Sequence, residues 1–171
     1  MRKDKDAETK QKNLWIRYKS LWMLLIKLVS VFLVIWLSLL FIVGIYPIHG
    51  NYMYPMLKDG DLAITLRTGG YEPGDVVAYK VDGELRFARI IGVAGDKISI
   101  DETYTVNGQQ PFEEVFYPTG NSAPINIEVN EDQVFLLNDY RDNTNDSRSY
   151  GAVSTDKLEG HVIFLFRWRS L

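Results

Sequence analysis

The chain has 171 residues, of which 46% are hydrophobic and 24% are charged, and these values exclude disorder along its whole length. That length allows one domain of ordinary size and one further segment. Cysteine is absent, and the two histidines, His49 and His161, have no ligand-like spacing, so we expect no disulfide, no metal ion and no cofactor.

Charge is distributed unevenly along the chain. Residues 1–20 carry seven basic and three acidic side chains, a net charge of +4, whereas residues 44–171 carry eleven basic and nineteen acidic ones, a net charge of −8. An acidic body of this kind argues against nucleic acid as a partner. Residues 1–20 therefore form a basic segment that differs from everything after it.

A long apolar run follows the basic segment. Residues 28–46 have no charge, and residues 21–26 extend the run upstream past Lys27. Because about 20 helical residues cross the hydrocarbon core of a bilayer, the run predicts one transmembrane helix over residues 21–46, in contact with membrane lipid. A cleaved signal peptide would need a shorter apolar core and small residues at its cleavage site. The basic flank predicts a cytoplasmic N-terminus and an extracytoplasmic domain over residues 47–171.

The pattern changes after the apolar run. Residues 47–171 contain short apolar stretches separated by Gly, Pro, Asn and Asp, which predicts a mainly β fold. Asn107-Gly108 predicts a type I′ hairpin turn. Residues 108–130 predict an irregular excursion, and residues 138–151 a loop held by hydrogen bonds from side chains to backbone. The candidate strands are residues 62–67, 75–81, 85–94, 97–100, 103–106, 125–129, 133–137 and 161–168.

Four segments, in this order, resemble the sequence boxes of type I signal peptidases. Residues 50–57, GNYMYPML, resemble the G-D-S-M-x-P-T-L box with the family's serine nucleophile. Residues 60–61 and 73–77 resemble its next box, and RFARIIGVAGD at 86–96 resembles its K-R-V-I-G-x-P-G-D lysine box. Residues 138–151, NDYRDNTNDSRSYG, resemble G-D-N-R-x-N-S-x-D-S-R-x-x-G. The resemblance implies a signal-peptidase-like antiparallel β domain behind a single N-terminal transmembrane helix.

Both catalytic positions of the family are replaced in this sequence. The position of the serine is Tyr52, and the position of the lysine is Ala88. A signal peptidase activates its serine hydroxyl with a lysine that burial keeps neutral. A phenol is mostly protonated at neutral pH, and an alanine side chain supplies no base to take its proton. We therefore predict a protein of this family that is not an enzyme.

Further positions of the same boxes point to the scaffold rather than to chemistry. Asn138 stands where the family has a glycine beside the lysine, and Thr144 where it has a serine that hydrogen-bonds the lysine. Both changes predict that the space of the lysine stem has been refilled. The resemblance also implies that Arg141, Asp146 and Arg148 belong to an ion-pair network that braces the loop against the sheet.

The resemblance implies a peptide groove as well, because the strands after the serine and before the lysine flank the family's substrate. Backbone hydrogen bonding needs no catalytic residue, so such a groove can survive the loss of the dyad. The same residues can equally be strand and core. The residues that match the two walls are Met53, Tyr54 and Pro55, and Glu84, Leu85, Arg86 and Phe87.

The resemblance extends to the signal-peptidase-like accessory proteins of Gram-positive pilus assembly, the SipA type, which lack the same dyad. It implies a non-enzymatic role in pilus assembly, with a pilin or a sortase as the protein partner. Two alternatives stay open: a decoy that binds signal sequences or regulates an active signal peptidase, and a residual peptidase that uses Ser147 or Ser149. The sequence predicts no oligomeric state.

Overall fold

The structure is a computed structural model that describes residues 2–101, 103–111 and 124–167. The chain divides into two compact units, Met1–Phe41 and Ile42–Leu171. In the described residues, the first unit is helical and the second contains all the strands.

The first unit belongs to one long helix, α1, which covers Arg2–Ile42. Its segment Tyr18–Ile42 is long and apolar enough to cross a membrane, and its apolar side chains, Phe32 and Phe41 among them, are exposed. A helix with this surface suits a lipid environment. The helix extends back through the basic segment. The predicted end of the span at residue 46 is corrected, because the helix ends at Ile42 and Val43–Pro47 pairs as a strand.

Ten strands lie in the described part of the second unit, and together they confirm a mainly β fold. All eight predicted strands are present, whereas the first and the ninth strand were not predicted. Residue 168, the predicted end of the last strand, lies outside the described residues. A single helical turn, α2 at Ser147–Tyr150, precedes β9. The strands are β1 Val43–Pro47, β2 Leu62–Leu66, β3 Val76–Val81, β4 Glu84–Val93, β5 Lys97–Ile100, β6 Tyr104–Val106, β7 Ile125–Glu128, β8 Gln133–Leu137, β9 Val153–Ser154 and β10 Leu158–Phe166.

The strands form two antiparallel sheets. The larger sheet has the order β1-β2-β10-β3-β4-β8-β9, and the smaller one has the order β6-β5-β7. Side chains alternate between the two faces of a strand, and both faces of β3 are buried: Ala78 packs in one apolar cluster and Val77 in another. In β8, Leu136 joins the cluster of Val77, whereas Phe135 packs against residues of the smaller sheet. The lysine-box strand β4 therefore lies at the centre of the fold.

A hairpin turn and a register shift within a strand show how glycines help to set the pairing of the strands. Asn107 and Gly108 have positive φ angles of 54° and 77°, and Val106 and Gln109 exchange backbone hydrogen bonds of 2.9 and 3.0 Å, which confirms the predicted hairpin turn. Gly160 lies where the register of β10 against β3 shifts, and a Cβ atom there would lie 2.5 Å from the Leu66 carbonyl oxygen. Of the predicted excursion, residues 112–123 lie outside the described residues.

Candidate functional site

The segment with the serine-like box, residues 50–57, folds into turns that fix its side chains. The Tyr54 N–H donates to the Asn51 carbonyl at 3.2 Å, and the Leu57 N–H donates to the Met53 carbonyl at 2.8 Å. Met53 and Leu57 are buried, whereas Tyr52 and Tyr54 are exposed. The predicted groove wall at residues 53–55 is therefore a turn and not a strand, because local hydrogen bonds already use amides that a strand would present to a peptide.

The lysine-like position, Ala88, is fully buried in β4. It packs in an apolar cluster with Val77 and Ile90. The same cluster contains Tyr79 and Tyr150, whose hydroxyl oxygens are 2.6 Å apart. Burial raises the pKa of Tyr79 and of Tyr150, so both phenols stay protonated at neutral pH. The cluster around Ala88 thus consists of apolar side chains and two protonated phenols, and none of these is a general base.

The loop at residues 138–151 has a buried ion pair at its centre. Arg148 and Asp146 are 2.7 Å apart, with side chains 1% and 0% exposed. The Asp146 carboxylate also accepts the Asn138 backbone N–H at 2.9 Å, and Arg148 donates to the carbonyls of Arg141 and Asn143 at 2.8 and 2.6 Å. The Arg141 side chain instead lies over the ring of Tyr104, at 5.3 Å. Arg141 therefore contributes its carbonyl, and the ion pair itself is Asp146–Arg148.

The two residues predicted to refill the lysine space belong to the same loop. Asn138 is buried, and its amide donates to the carbonyls of Asn143 and Asn145 at 3.1 and 3.4 Å. The carbonyl of Thr144, a half-buried residue, accepts the Ser149 hydroxyl. Asn138 thus ties the start of the loop to its middle. Whether the two side chains replace a lysine stem stays a prediction.

A second ion pair, which the sequence analysis missed, joins β4 to the loop. The Arg89 guanidinium binds both oxygens of the buried Asp139 carboxylate, at 2.8 and 2.7 Å, and donates to the Gly74 carbonyl at 2.7 Å. Bidentate pairs of this kind fix geometry well. The sequence contained a signal for this ion pair, because Arg89 and Asp139 each belong to one of the family-like boxes. When β4 pairs with β8, Arg89 lies opposite Leu137, which brings the Arg89 side chain close to Asp139.

The loop also holds the serine-like segment. The Tyr140 N–H donates to the Tyr52 carbonyl at 2.9 Å, and the Asp139 N–H lies 3.3 Å from the Met53 sulfur. The backbone at Tyr52 is therefore positioned by the same loop that positions Arg89.

The predicted groove residues meet in a closely packed region. A depression of about 20 Å³ is lined by Met53 and by Leu85, Arg86 and Phe87, which is room for about one water molecule. Met53 and Phe87 are buried in one apolar cluster. Tyr54 lines a different depression. Pro55 and Glu84 line neither of these two depressions. Of the predicted wall residues, Met53 and Phe87 therefore belong to the core, whereas Tyr54, Pro55 and Glu84 are exposed.

In the described residues, one backbone edge of the first half of β4 is not paired with another strand. β4 pairs with β3 along Glu84–Arg89, but its pairing with β8 begins only at Arg89. Ile90 bonds toward the β3 side through Asp75 and Gly74. Because alternate residues of an antiparallel strand bond to opposite edges, Leu85 and Phe87 direct their N–H and C=O groups to the other edge. No strand in the described ranges pairs there, so an extended peptide has backbone partners.

The two serines considered as displaced nucleophiles are bound within the loop. Ser147 is buried, and its hydroxyl oxygen accepts the Leu136 N–H at 3.0 Å. The Ser149 hydroxyl donates to the Thr144 carbonyl. Within the described ranges, no lysine or histidine hydrogen-bonds either hydroxyl.

A metal site was also considered. In the same ranges, no three His, Asp or Glu residues are grouped so that they could hold a metal ion.

Comparison with known proteins agrees with the sequence boxes. The family model for signal peptidase, peptidase S26, matches residues 21–168. Signal peptidase IB of Staphylococcus aureus is 31% identical over 166 residues, which cover 83% of this chain and 87% of that protein. A probable signal peptidase I-1 of Synechocystis is 26% identical over 144 residues, which cover 72% of this chain and 73% of that protein.

The crystal structure of a signal peptidase I from Enterococcus faecalis is similar to 54% of this chain and 97% of its own chain, with a TM-score of 0.47 and 23% identity. The family match spans the apolar helix, the boxes around Tyr52 and Ala88 and the loop at residues 138–151. The match with the Staphylococcus aureus protein covers most of both chains. This chain therefore belongs to the signal peptidase family, peptidase S26.

Proposed function

We propose that this chain is a catalytically inactive member of the family that acts as a non-enzymatic binding or scaffold factor in the assembly of surface pili. The observation that carries the proposal is the pair Tyr52 and Ala88 at the serine and lysine positions. Acyl transfer by this family's route needs a hydroxyl nucleophile and a neutral amine in reach of it. Tyr52 offers an exposed phenol in place of the serine hydroxyl, and the buried methyl group of Ala88 supplies no amine to take its proton.

The neighbouring polar groups support inactivity. Tyr79 and Tyr150 hydrogen-bond each other beside Ala88, and the hydroxyl groups of Ser147 and Ser149 are bound to the backbone of Leu136 and of Thr144. A displaced dyad would require one of these groups to leave its partner and to find a base. Among the described residues, no lysine or histidine hydrogen-bonds the Ser147 or the Ser149 hydroxyl.

The open edge of β4 supports a binding role. Leu85 and Phe87 offer backbone donors and acceptors to an extended segment, which is how peptides add to an exposed sheet edge. The proposed partner is a pilin or a sortase, because the SipA type that this chain resembles implies such a partner. The proposed arrangement in the membrane has the N-terminus in the cytoplasm and the β domain outside, with Tyr18–Ile42 as the anchor.

The test combines a reaction in vitro with a deletion in the cell. The full chain in proteoliposomes is expected to leave a preprotein uncleaved at an enzyme-to-substrate ratio at which an active signal peptidase completes the reaction. Deletion of the gene is expected to abolish pilus polymers while the processing of secreted proteins stays unchanged. Cleavage by the purified chain contradicts the inactive assignment, and normal pilus polymers in the deletion strain contradict the pilus role.

The second candidate function is a decoy that sequesters signal sequences. The β4 edge favours it, because that edge suits any extended peptide. A decoy predicts faster signal-peptide processing after deletion and normal pili. The same deletion strain therefore separates the two functions, since each predicts a change in the readout that the other leaves constant.

A further inference from the structure

A second depression lies at Tyr52, and it is far wider than the one beside β4. Its volume is about 520 Å³, within the range of sites that hold a ligand or a peptide segment. Three tyrosines on its walls, Tyr52, Tyr54 and Tyr140, are 45%, 48% and 48% exposed. Exposed aromatic side chains grouped in this way are typical of binding surfaces. The full lining is Asn51, Tyr52, Tyr54, Lys58, Tyr140 and Asn143.

The side chains of this tyrosine depression combine hydrogen-bond donors with one positive charge. The Asn51 side-chain oxygen already accepts the Asp59 N–H at 3.1 Å, and the Asn143 side-chain oxygen already accepts the Asn145 N–H at 2.9 Å. The amide nitrogens of both asparagines remain as donors, and the three tyrosine hydroxyls can donate as well as accept. The Lys58 ammonium lies over the Tyr54 ring at 5.0 Å, and no carboxylate in the described parts of the chain forms an ion pair with it. The donors and the Lys58 ammonium therefore suit a ligand that has carbonyl oxygens and negative charge.

The backbone of the walls is already satisfied. The N–H groups of Tyr54, Tyr140 and Asn143 donate to the carbonyls of Asn51, Tyr52 and Tyr140, at 3.2, 2.9 and 3.0 Å. The depression consequently has no strand edge at these positions, and a peptide cannot enter it as an added β-strand. Recognition has to use side-chain donors and aromatic faces.

These properties select among the possible occupants. Proline has no N–H, and a polyproline II segment exposes its carbonyls on all sides, so such a segment needs only hydrogen-bond donors from its site. Aromatic-lined grooves bind such segments, and a carboxylate on the ligand would pair with Lys58.

We propose that the tyrosine depression binds an acidic, proline-rich segment of a partner protein in the polyproline II conformation. The three tyrosine rings pack against proline rings, the tyrosine hydroxyls and asparagine amides donate to carbonyl oxygens, and Lys58 pairs with a carboxylate. The inference goes beyond the proposed function and does not rest on it, because it uses neither the β4 edge nor the absence of catalysis.

The test is a titration of the full chain in detergent micelles with labelled synthetic peptides, followed by fluorescence anisotropy. The probe is a peptide of about ten residues, roughly 30 Å long as polyproline II, with glutamates among prolines. One matched peptide replaces the glutamates with glutamine, and another replaces the prolines with alanine. The acidic proline peptide is expected to bind about threefold more tightly than the glutamine peptide and about tenfold more tightly than the alanine peptide.

Variants assign the binding to the depression. Y54A and Y140A are expected to lower the affinity about tenfold each, and K58A is expected to remove the difference between the glutamate and glutamine peptides. Y18A, an exposed tyrosine of α1, and K97A, an exposed lysine of β5, are the matched controls and are expected to bind normally. Melting temperatures show that each variant is folded.

The β4 edge supplies the control that separates this site from the proposed function. L85P removes one N–H from that edge and is expected to leave the affinity for the proline peptide unchanged. A loss of binding in L85P, equal affinity for the alanine peptide, or no binding up to about 1 mM would each overturn the proposal. Tight binding of an acidic oligosaccharide that Y140A abolishes would overturn it in favour of a glycan.

Discussion

The loop at residues 138–151 and the region around Ala88 are neighbours in the fold, yet their buried side chains are stabilised in different ways. The loop buries the Asp146 carboxylate and matches it with Arg148 and with the backbone N–H of Asn138. The Ala88 cluster consists of apolar side chains and of two tyrosines whose hydroxyl groups hydrogen-bond each other. A buried charge must be compensated wherever it occurs, whereas the methyl group of Ala88 needs only apolar neighbours.

Two adjacent residues of β4 show the same difference between an apolar and a charged environment. Ala88 faces the apolar cluster with Val77, while Arg89 points to the other side of the strand and binds Asp139 at 2.7 Å. Successive strand residues face opposite sides of a sheet. Arg89 of the lysine box thus braces the loop, and this arrangement does not depend on any reaction.

Breaking the Asp146–Arg148 pair should have the largest effect on stability. Asp146→Ala leaves the Arg148 guanidinium buried without its carboxylate, so we expect the free energy of unfolding to fall by about 3 to 5 kcal/mol. The measurement is denaturant unfolding of the full chain in detergent. Glu84→Ala is the matched control: it removes a partner of Arg86 at 2.8 Å, but the Glu84 side chain is 70% exposed, and we expect a loss of less than about 1 kcal/mol. Similar losses of unfolding free energy in both variants would show that the buried ion pair contributes no more to stability than the exposed one.

Restoring the serine and the lysine should not by itself restore activity, because catalysis needs more than these two residues. The double variant Y52S/A88K is expected to remain inactive on a preprotein, since Asn138 lies next to the new lysine in the register set by Arg89 and Leu137. A misplacement of about 1 Å lowers a rate about a hundredfold. Adding N138G and T144S is expected to raise the cleavage rate, measured by gel assay in proteoliposomes.

The control for this series is N138G/T144S alone, which lacks both catalytic residues and is expected to be inactive. A double variant that cleaves as fast as the quadruple variant would show that Asn138 and Thr144 do not fill the space of the lysine stem.

The smallest expected effect is at an exposed cluster on the larger sheet. Lys80, and then Tyr46 through a hydrogen bond of 2.9 Å, lower the pKa of Glu159. A carboxyl group whose pKa is lower in the folded state adds stability above its ordinary pKa, and that stability is lost as the pH falls through the lowered value. We expect Glu159→Gln to cost less than about 1 kcal/mol at neutral pH, with a difference from the parent chain that disappears toward about pH 3. Unfolding curves at both pH values check this, and a constant difference would contradict it.

Strands were predictable from the sequence where alternation and turn residues mark them. The Asn107-Gly108 turn and β5 appear as expected. β1 was missed because Val43–Pro47 continues the apolar run of the helix, and composition cannot show where a helix gives way to a strand. β9 was missed because two residues, Val153–Ser154, are too short for a pattern.

The candidate site was predictable only in part. The positions of Tyr52 and Ala88 follow from the sequence boxes, but the Arg89–Asp139 pair joins residues that are 50 positions apart, and only the pairing of β4 with β8 brings them together. The packing of Met53 against Phe87 was not predictable either, because it depends on the turns of residues 50–57.

We expect that no nucleophile remains in the chain, and covalent labelling can detect one directly. The full chain in detergent is incubated with an acylating β-lactam-type signal peptidase inhibitor, and its intact mass is then measured, with an active signal peptidase as the positive control. We predict an unchanged mass, because the phenol of Tyr52 has no base and the Ser147 and Ser149 hydroxyls are bound within the loop. A stoichiometric adduct on Tyr52, Ser147 or Ser149 would contradict the claim.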